Sequence, residues 1–231
     1  MRLFITYDAP GLQWQLGSPP PDPAAFALIG WADAQDDGGV PAWIVDVLAS
    51  SLAAFGRVTF ACSTISVADA SGWQMQGPDF VARYRIRSAL GRMVARLSAR
   101  APADLKLMST TAAQKVRRLF SDAGYPWWNQ AQFALMSAAG APPPDFDAVD
   151  LADLFAREWP DGWDRLQSLG VQAMLRPGVD GDVAGLLCAS REFSDRFEAV
   201  LARSADAFGV SLRHVGELAF AAALAASPPH P

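Results

Sequence analysis

Paired carboxylates between two apolar runs are among the few side chains placed to do chemistry. Asp180 and Asp182 flank Gly181, and two nearby carboxylates could bind a hard cation or divide acid and base roles. The same Asp-Gly pattern suits a hairpin turn, because glycine accepts positive φ and aspartate bonds its neighbouring backbone. We therefore interpret both aspartates as turn residues and expect no metal site.

A histidine at a predicted strand-to-helix junction is the other candidate. His214 precedes Glu217 by three residues, so an imidazole and a carboxylate could cooperate there in proton transfer. The chain has 2 histidines, and His230 lies in a Pro-rich tail. A lone histidine more often makes a structural hydrogen bond. We therefore assign no catalytic residue and keep His214, Glu217, Asp180 and Asp182 as candidates.

Positive charge is concentrated in one segment of the chain. Residues 79–118 hold ten basic residues and two acids, whereas the whole chain has a net charge of -5. Arg92, Arg96 and Arg100, which we call the basic stripe, are spaced by four residues and would share one helix face. The basic stripe could bind a small anion or an acidic protein partner. It could instead pair with the acids of residues 145–164, and both interpretations stay open.

Adjacent tryptophans give a second candidate binding surface. Trp127 and Trp128 lie in a segment with helical spacing, and two neighbouring side chains cannot both face inward from one helical turn. One of them is therefore a candidate for exposure. Tryptophan combines a large apolar area with one hydrogen-bond donor and is common at the centre of protein interfaces.

Familiar enzyme motifs do not occur in the sequence. It has no Gly-rich phosphate loop, no dinucleotide-binding glycine pattern, no nucleophile elbow and no zinc-protease helix motif. Cys62 and Cys188 are too few and too far apart to form a metal-binding pattern, so we expect both in the core. We predict no cofactor. The isoelectric point of about 5.0 argues against nucleic acid as a partner.

Strand-like and helix-like runs alternate irregularly along the chain. Runs of strand character are Arg2–Tyr7, Phe26–Trp31, Arg57–Val67, Asp104–Met108, Val171–Arg176, Val183–Ala189 and Val210–Val215. Helical spacing occurs in Pro41–Phe55, Asp79–Arg100, Thr111–Ala123, Trp127–Ala139, Asp150–Leu169 with a break or kink at Pro160, and a helix capped by Ser190 and ended by Gly209.

Two of these helices have clear ends and a clear apolar face. In the first, Pro41 suits the first turn and Gly56 can end the helix in the left-handed conformation. Its apolar face consists of Ile44, Leu48, Leu52 and Phe55. The helix after Ser190 has an apolar stripe made of Phe193, Phe197, Val200, Leu201 and Phe208.

These elements predict an α+β fold. Consecutive helices between residues 109 and 169 do not fit a strict strand–helix alternation, so we expect a two-layer sandwich with a mixed sheet of about six or seven strands. The two strands around residues 177–182 should form an antiparallel hairpin. We expect one globular domain over residues 1–226, with a possible subdomain break near 141–149 and a flexible tail at 227–231.

Composition places the chain among intracellular globular proteins. Hydrophobic residues make up 51% and charged residues 19% of the sequence, and no apolar run is long enough for a bilayer. No export signal is visible, so we expect a cytoplasmic location. The function favoured by these observations is non-catalytic binding of a protein partner, in the manner of a bacterial accessory, inhibitor or immunity factor. The alternative is an enzyme that acts on a small phosphorylated or carboxylated metabolite, with arginine holding the anion.

Overall fold

The computed structural model describes residues 1–7, 26–32, 41–63, 80–85, 104–122, 133–145, 159–177 and 183–225. These residues form nine strands and five helices. The strands are β1 (Arg2–Thr6), β2 (Phe26–Ala32), β3 (Arg57–Ser63), β4 (Phe80–Arg85), β5 (Asp104–Thr110), β6 (Phe133–Ser137), β7 (Val171–Pro177), β8 (Val183–Cys188) and β9 (Leu212–His214). The helices are α1 (Ala42–Ala53), α2 (Ala113–Asp122), α3 (Trp159–Ser168), α4 (Arg191–Asp206) and α5 (Glu217–Ala225).

All nine strands belong to one mixed sheet, in the order β4-β5-β3-β6-β7-β8-β2-β1-β9. Neighbouring strands are antiparallel except β1 and β9, which run parallel. The predicted α+β class and mixed sheet are confirmed, with more strands than the six or seven expected. The predicted hairpin is also confirmed, because Ala173 of β7 lies opposite Cys188 of β8.

Helices cover both faces of the sheet. Leu3 and Ile5 of β1 pack on the face that carries α1, α2 and α4, whereas Phe4 packs with Phe220 of α5 on the opposite face. Trp163 of α3 also lies on that second face. Strand side chains alternate between faces, and both sets are apolar here. The expected two layers therefore become three.

The helices α1 and α4 agree closely with the sequence pattern. The predicted apolar face of α1 is buried throughout, and the Ser190 hydroxyl accepts a hydrogen bond from Phe193 N at 3.2 Å. Gly209 has φ of 70°, as its predicted role at the end of α4 requires. Phe208 was expected on the buried stripe but is 39% exposed. It lies beyond the last residue of α4, where helical spacing no longer decides its direction.

Gly56 follows α1 for a reason other than the one predicted. Among the described glycines only Gly170 and Gly209 have positive φ, so the expected left-handed end at Gly56 is wrong. A Cβ atom at Gly56 would instead lie 2.2 Å from Ala139 N and 2.7 Å from Ala138 C. The missing side chain lets the turn after β6 approach the start of β3.

Two predicted helices contain strands. Phe80–Arg85 is β4 and Phe133–Ser137 is β6, so the helices predicted over Asp79–Arg100 and Trp127–Ala139 are wrong at these residues. All five residues of β6 are buried. A short apolar run that is buried on both sides has no alternation and cannot be told from a helix by periodicity.

The other predicted helices are confirmed in part. The run Thr111–Ala123 contains α2, and the run Asp150–Leu169 contains α3, which begins at Trp159 beside the predicted break at Pro160. Proline suits the first turn of a helix, where its missing N–H has no partner to lose. No helix among the described residues is long and apolar enough to cross a membrane.

Candidate functional site

The parallel pairing of β1 with β9 brings two distant parts of the chain to one end of the sheet. Ile5 lies opposite His214 in register, and Val215 N donates to Ile5 O at 3.1 Å. Tyr7 follows β1 by one residue and packs against the face that carries α4. Tyr7 and His214, 207 positions apart, are therefore neighbours beside α4.

One carboxylate of α4 holds both of these side chains. The Tyr7 hydroxyl donates to Glu198 Oε2 at 2.5 Å, and His214 Nε2 lies 2.7 Å from Glu198 Oε1. The two rings are stacked, with centroids 6.2 Å apart and planes inclined by 25°. Each oxygen of Glu198 thus has its own partner, which fixes the direction of both rings.

A guanidinium covers the outer side of this arrangement. Arg191 Cζ lies 4.4 Å from the centroid of the Tyr7 ring, within the range of a cation–π contact. Its Nε donates to Asp195 Oδ1 at 2.8 Å, one helical turn along α4. We refer to Tyr7, Arg191, Glu198 and His214 as the edge cluster, because β9 is the last strand of the sheet.

The polar atoms of the edge cluster differ in how far they reach the surface. The His214 side chain is 58% exposed, whereas that of Glu198 is 24% exposed. Burial raises the pKa of the Tyr7 phenol well above its ordinary value, and the hydrogen bond to Glu198 raises it further. Tyr7 therefore stays protonated at neutral pH and acts as a donor to Glu198.

Two further polar side chains lie beneath the edge cluster. The Ser194 hydroxyl is fully buried, lies near both Tyr7 and Cys188, and makes no hydrogen bond of normal geometry. Burial raises the pKa of the Cys188 thiol to about 12. A thiol in that state is protonated at neutral pH and is a poor nucleophile. Cys188 is 1% exposed, which confirms its predicted place in the core.

The cluster has the elements of an oriented base. Glu198 fixes His214 through Nε2, and no hydrogen bond involves Nδ1 within the described part of the chain. When Nε2 carries the proton, Nδ1 is an acceptor on a side chain that is 58% exposed, and a carboxylate that orients an imidazole is a common feature of general bases. The same exposed ring, stacked on Tyr7, also offers a rigid contact surface.

The carboxylate beside His214 is not the one that the sequence indicated. No hydrogen bond joins His214 to Glu217 among the residues described. The remaining sequence candidates lie outside the described residues; they are Asp180, Asp182, Arg92, Arg96, Arg100, Trp127 and Trp128. Across the described ranges, no three His, Cys, Asp or Glu side chains are grouped so that they could hold a metal ion.

Sequence reasoning missed Tyr7, Arg191 and Glu198. A signal for two of them exists in α4, because Arg191 and Glu198 are seven residues apart and share a helix face with Ser194 and Asp195. That face adjoins the apolar stripe through Phe197. Tyr7 carries no such signal, since its neighbours depend on the pairing of β1 with β9.

Comparison with protein families, with curated proteins and with solved structures found no match for this chain.

Proposed function

We propose that this protein is a non-catalytic intracellular binding protein and that the edge cluster contacts its protein partner. The proposal rests on the two hydrogen bonds that the Glu198 carboxylate makes, one with Tyr7 and one with His214. Side chains held in one conformation before binding lose little entropy when the partner arrives. A preordered surface of this kind favours recognition of a complementary protein.

The residue types in the edge cluster also favour an interface. Tyrosine and arginine are over-represented among residues that dominate protein binding energies. The Arg191 guanidinium lies over the Tyr7 ring, and His214 extends the same surface with a mostly exposed side chain. The edge cluster therefore offers aromatic faces and hydrogen-bond donors together.

The chemistry of the partner follows from the groups left available. Among the described residues Arg191 bonds a side chain only through Nε, to Asp195, which leaves its two terminal nitrogens for another acceptor. Paired N–H groups of arginine match the two oxygens of a carboxylate. We infer that the partner presents an Asp or Glu side chain to Arg191 and an apolar or aromatic side chain to the Tyr7 and His214 rings.

Capture followed by a direct binding measurement tests the proposal. A partner retained by the tagged wild-type protein is identified, purified and titrated calorimetrically against variants of this chain. We expect Arg191→Ala and His214→Ala each to weaken binding about tenfold or more, the usual effect of losing a dominant contact. Arg203→Gln, an exposed change near the end of α4, is the matched control and should bind like wild type. Equal affinity of all four proteins would refute a role for the edge cluster.

An enzyme acting on a small phosphorylated or carboxylated metabolite is a second candidate function. It is favoured by the mostly exposed imidazole of His214, which Glu198 orients through Nε2. Arg191 could hold the anionic group of such a substrate. Turnover in a metabolite screen that disappears in His214→Asn, with the fold and any protein binding unchanged, would establish the enzyme and displace the binding proposal.

A further inference from the structure

A second polar cluster lies far from the edge cluster and on the other face of the sheet. Arg57 and Thr59 alternate with Val58 and Phe60 of β3, which belong to the core on the α1 side. Arg57 and Thr59 therefore point to the opposite face. Strand β3 is five positions from β1 in the sheet, roughly 24 Å at the usual strand spacing.

Hydrogen bonds join three polar side chains of this face. Arg57 Nη1 donates to Ser109 Oγ at 3.3 Å, and the hydroxyls of Thr59 and Ser109 are 2.8 Å apart. Arg57 Nε donates to Ala141 O at 2.7 Å. Ser137 lies directly opposite Arg57 in the register of β3 and β6. We refer to Arg57, Thr59 and Ser109 as the Arg57 cluster.

The Arg57 cluster has more donors than acceptors. Arginine has five N–H donors, and two of those on Arg57 are used within the described structure, which leaves three. The two hydroxyls of Thr59 and Ser109 share one hydrogen bond, so one hydroxyl hydrogen remains whichever of them donates. Ser109 Oγ is already an acceptor for Arg57. A ligand that only accepts hydrogen bonds would satisfy the remaining N–H and O–H donors of the Arg57 cluster.

Burial makes an acceptor with negative charge the best match. Thr59 is 1% exposed and Ser109 is 4% exposed, while Arg57 is half-buried. No carboxylate forms a salt bridge with Arg57 among the described residues. A guanidinium at a partly desolvated position is stabilised by an opposite charge, and its planar donors fit oxyanions.

We propose that the Arg57 cluster binds the oxyanion of a small molecule, a carboxylate or a phosphate. Arg57 would donate through its terminal nitrogens, and the remaining hydroxyl hydrogen of Thr59 and Ser109 would donate to a second oxygen. This site is separate from the edge cluster and does not depend on the proposed protein partner. Ala141 O stays bound to Arg57 Nε and holds the guanidinium in position.

Calorimetric titration with inorganic phosphate and with acetate, at constant ionic strength, tests this site and separates the two sources of the oxyanion. We expect saturable binding of at least one probe. Arg57→Gln should weaken it at least about tenfold, because charge-assisted bonds to arginine are the stronger kind. Thr59→Val keeps the side-chain shape and removes the hydroxyl whose hydrogen bond orients Ser109, so it should weaken binding roughly three- to tenfold.

Controls keep the outcome clear even if one variant is poorly folded. Circular dichroism checks each fold, and Thr59→Val still tests the site if Arg57→Gln unfolds because the bond to Ala141 O is lost. Arg203→Gln removes an equal charge at an exposed position and should leave probe affinity unchanged. The proposal is overturned if neither probe binds to the wild-type protein, or if a probe binds to the folded Thr59→Val or Arg57→Gln variants as tightly as it binds to wild type.

Discussion

Replacing Phe197 with alanine should remove a central contact between α4 and α1. Phe197 is fully buried, and its ring stacks on Phe55 with centroids 5.4 Å apart and planes inclined by 17°. Loss of a buried Phe side chain costs about 3–5 kcal/mol, which includes the cavity that it leaves. The stacked ring pair adds stability beyond buried area, so we expect a loss in the free energy of unfolding near the upper end, about 4–5 kcal/mol.

Urea denaturation measures this loss, and a second phenylalanine supplies the control. Phe208 belongs to the same sequence stripe as Phe197 but is 39% exposed, so Phe208→Ala should cost less than about 1 kcal/mol. The slope of the free energy of unfolding against urea concentration should be the same in both variants as in wild type. A loss below about 1 kcal/mol for Phe197→Ala, or equal losses for the two variants, would refute the packing described for α4.

Three further predictions concern other parts of the chain. Gly30→Ala would place a Cβ atom 2.6 Å from Phe220 Cζ; we expect a loss of about 1–3 kcal/mol in urea unfolding, largely recovered when Phe220→Leu is added. Because burial raises the Cys188 pKa from 9.0 to about 12, the folded state holds this proton more tightly than the unfolded chain. The protonated Cys188 thiol therefore stabilises the folded state fully below about pH 9, and this contribution is lost as the pH rises towards 12. The free energy of unfolding of Cys188→Ala should fall less than that of wild type over this range. If the basic stripe recognises an acidic partner, changing all three of its arginines to glutamine should weaken that binding and leave the melting temperature unchanged. If the stripe pairs internally with the acids of residues 145–164, the same change should lower the melting temperature and leave binding unchanged.

Local patterns were sufficient for the elements that have clear ends. Helix α4 could be predicted from Ser190, the spacing of Phe193, Phe197 and Leu201, and Gly209, because capping and periodicity act within a few residues. Strand β6 could not, since its apolar run fits a helix as well as a buried strand. Its neighbours β3 and β7 decide the outcome, and they are distant in sequence.

The candidate site could be predicted only in part for the same reason. His214 was identified as the one histidine at a structured junction, but its carboxylate was expected nearby at Glu217. The pairing of β1 with β9 places His214 beside Tyr7 and within hydrogen-bond distance of Glu198 of α4 instead. Contacts between residues 207 positions apart depend on the order of the whole sheet. Local spacing contains no information about that order.

Hydrogen–deuterium exchange with and without the purified partner tests the central claim most directly, because it locates the contact surface on the whole chain. The account predicts slower exchange on binding in peptides that contain Tyr7, the first two turns of α4 and β9. Peptides that cover Arg203 should not change. Protection confined to the segment of the basic stripe or of Trp127 and Trp128, with none near Tyr7 and His214, would contradict the edge cluster as the binding surface.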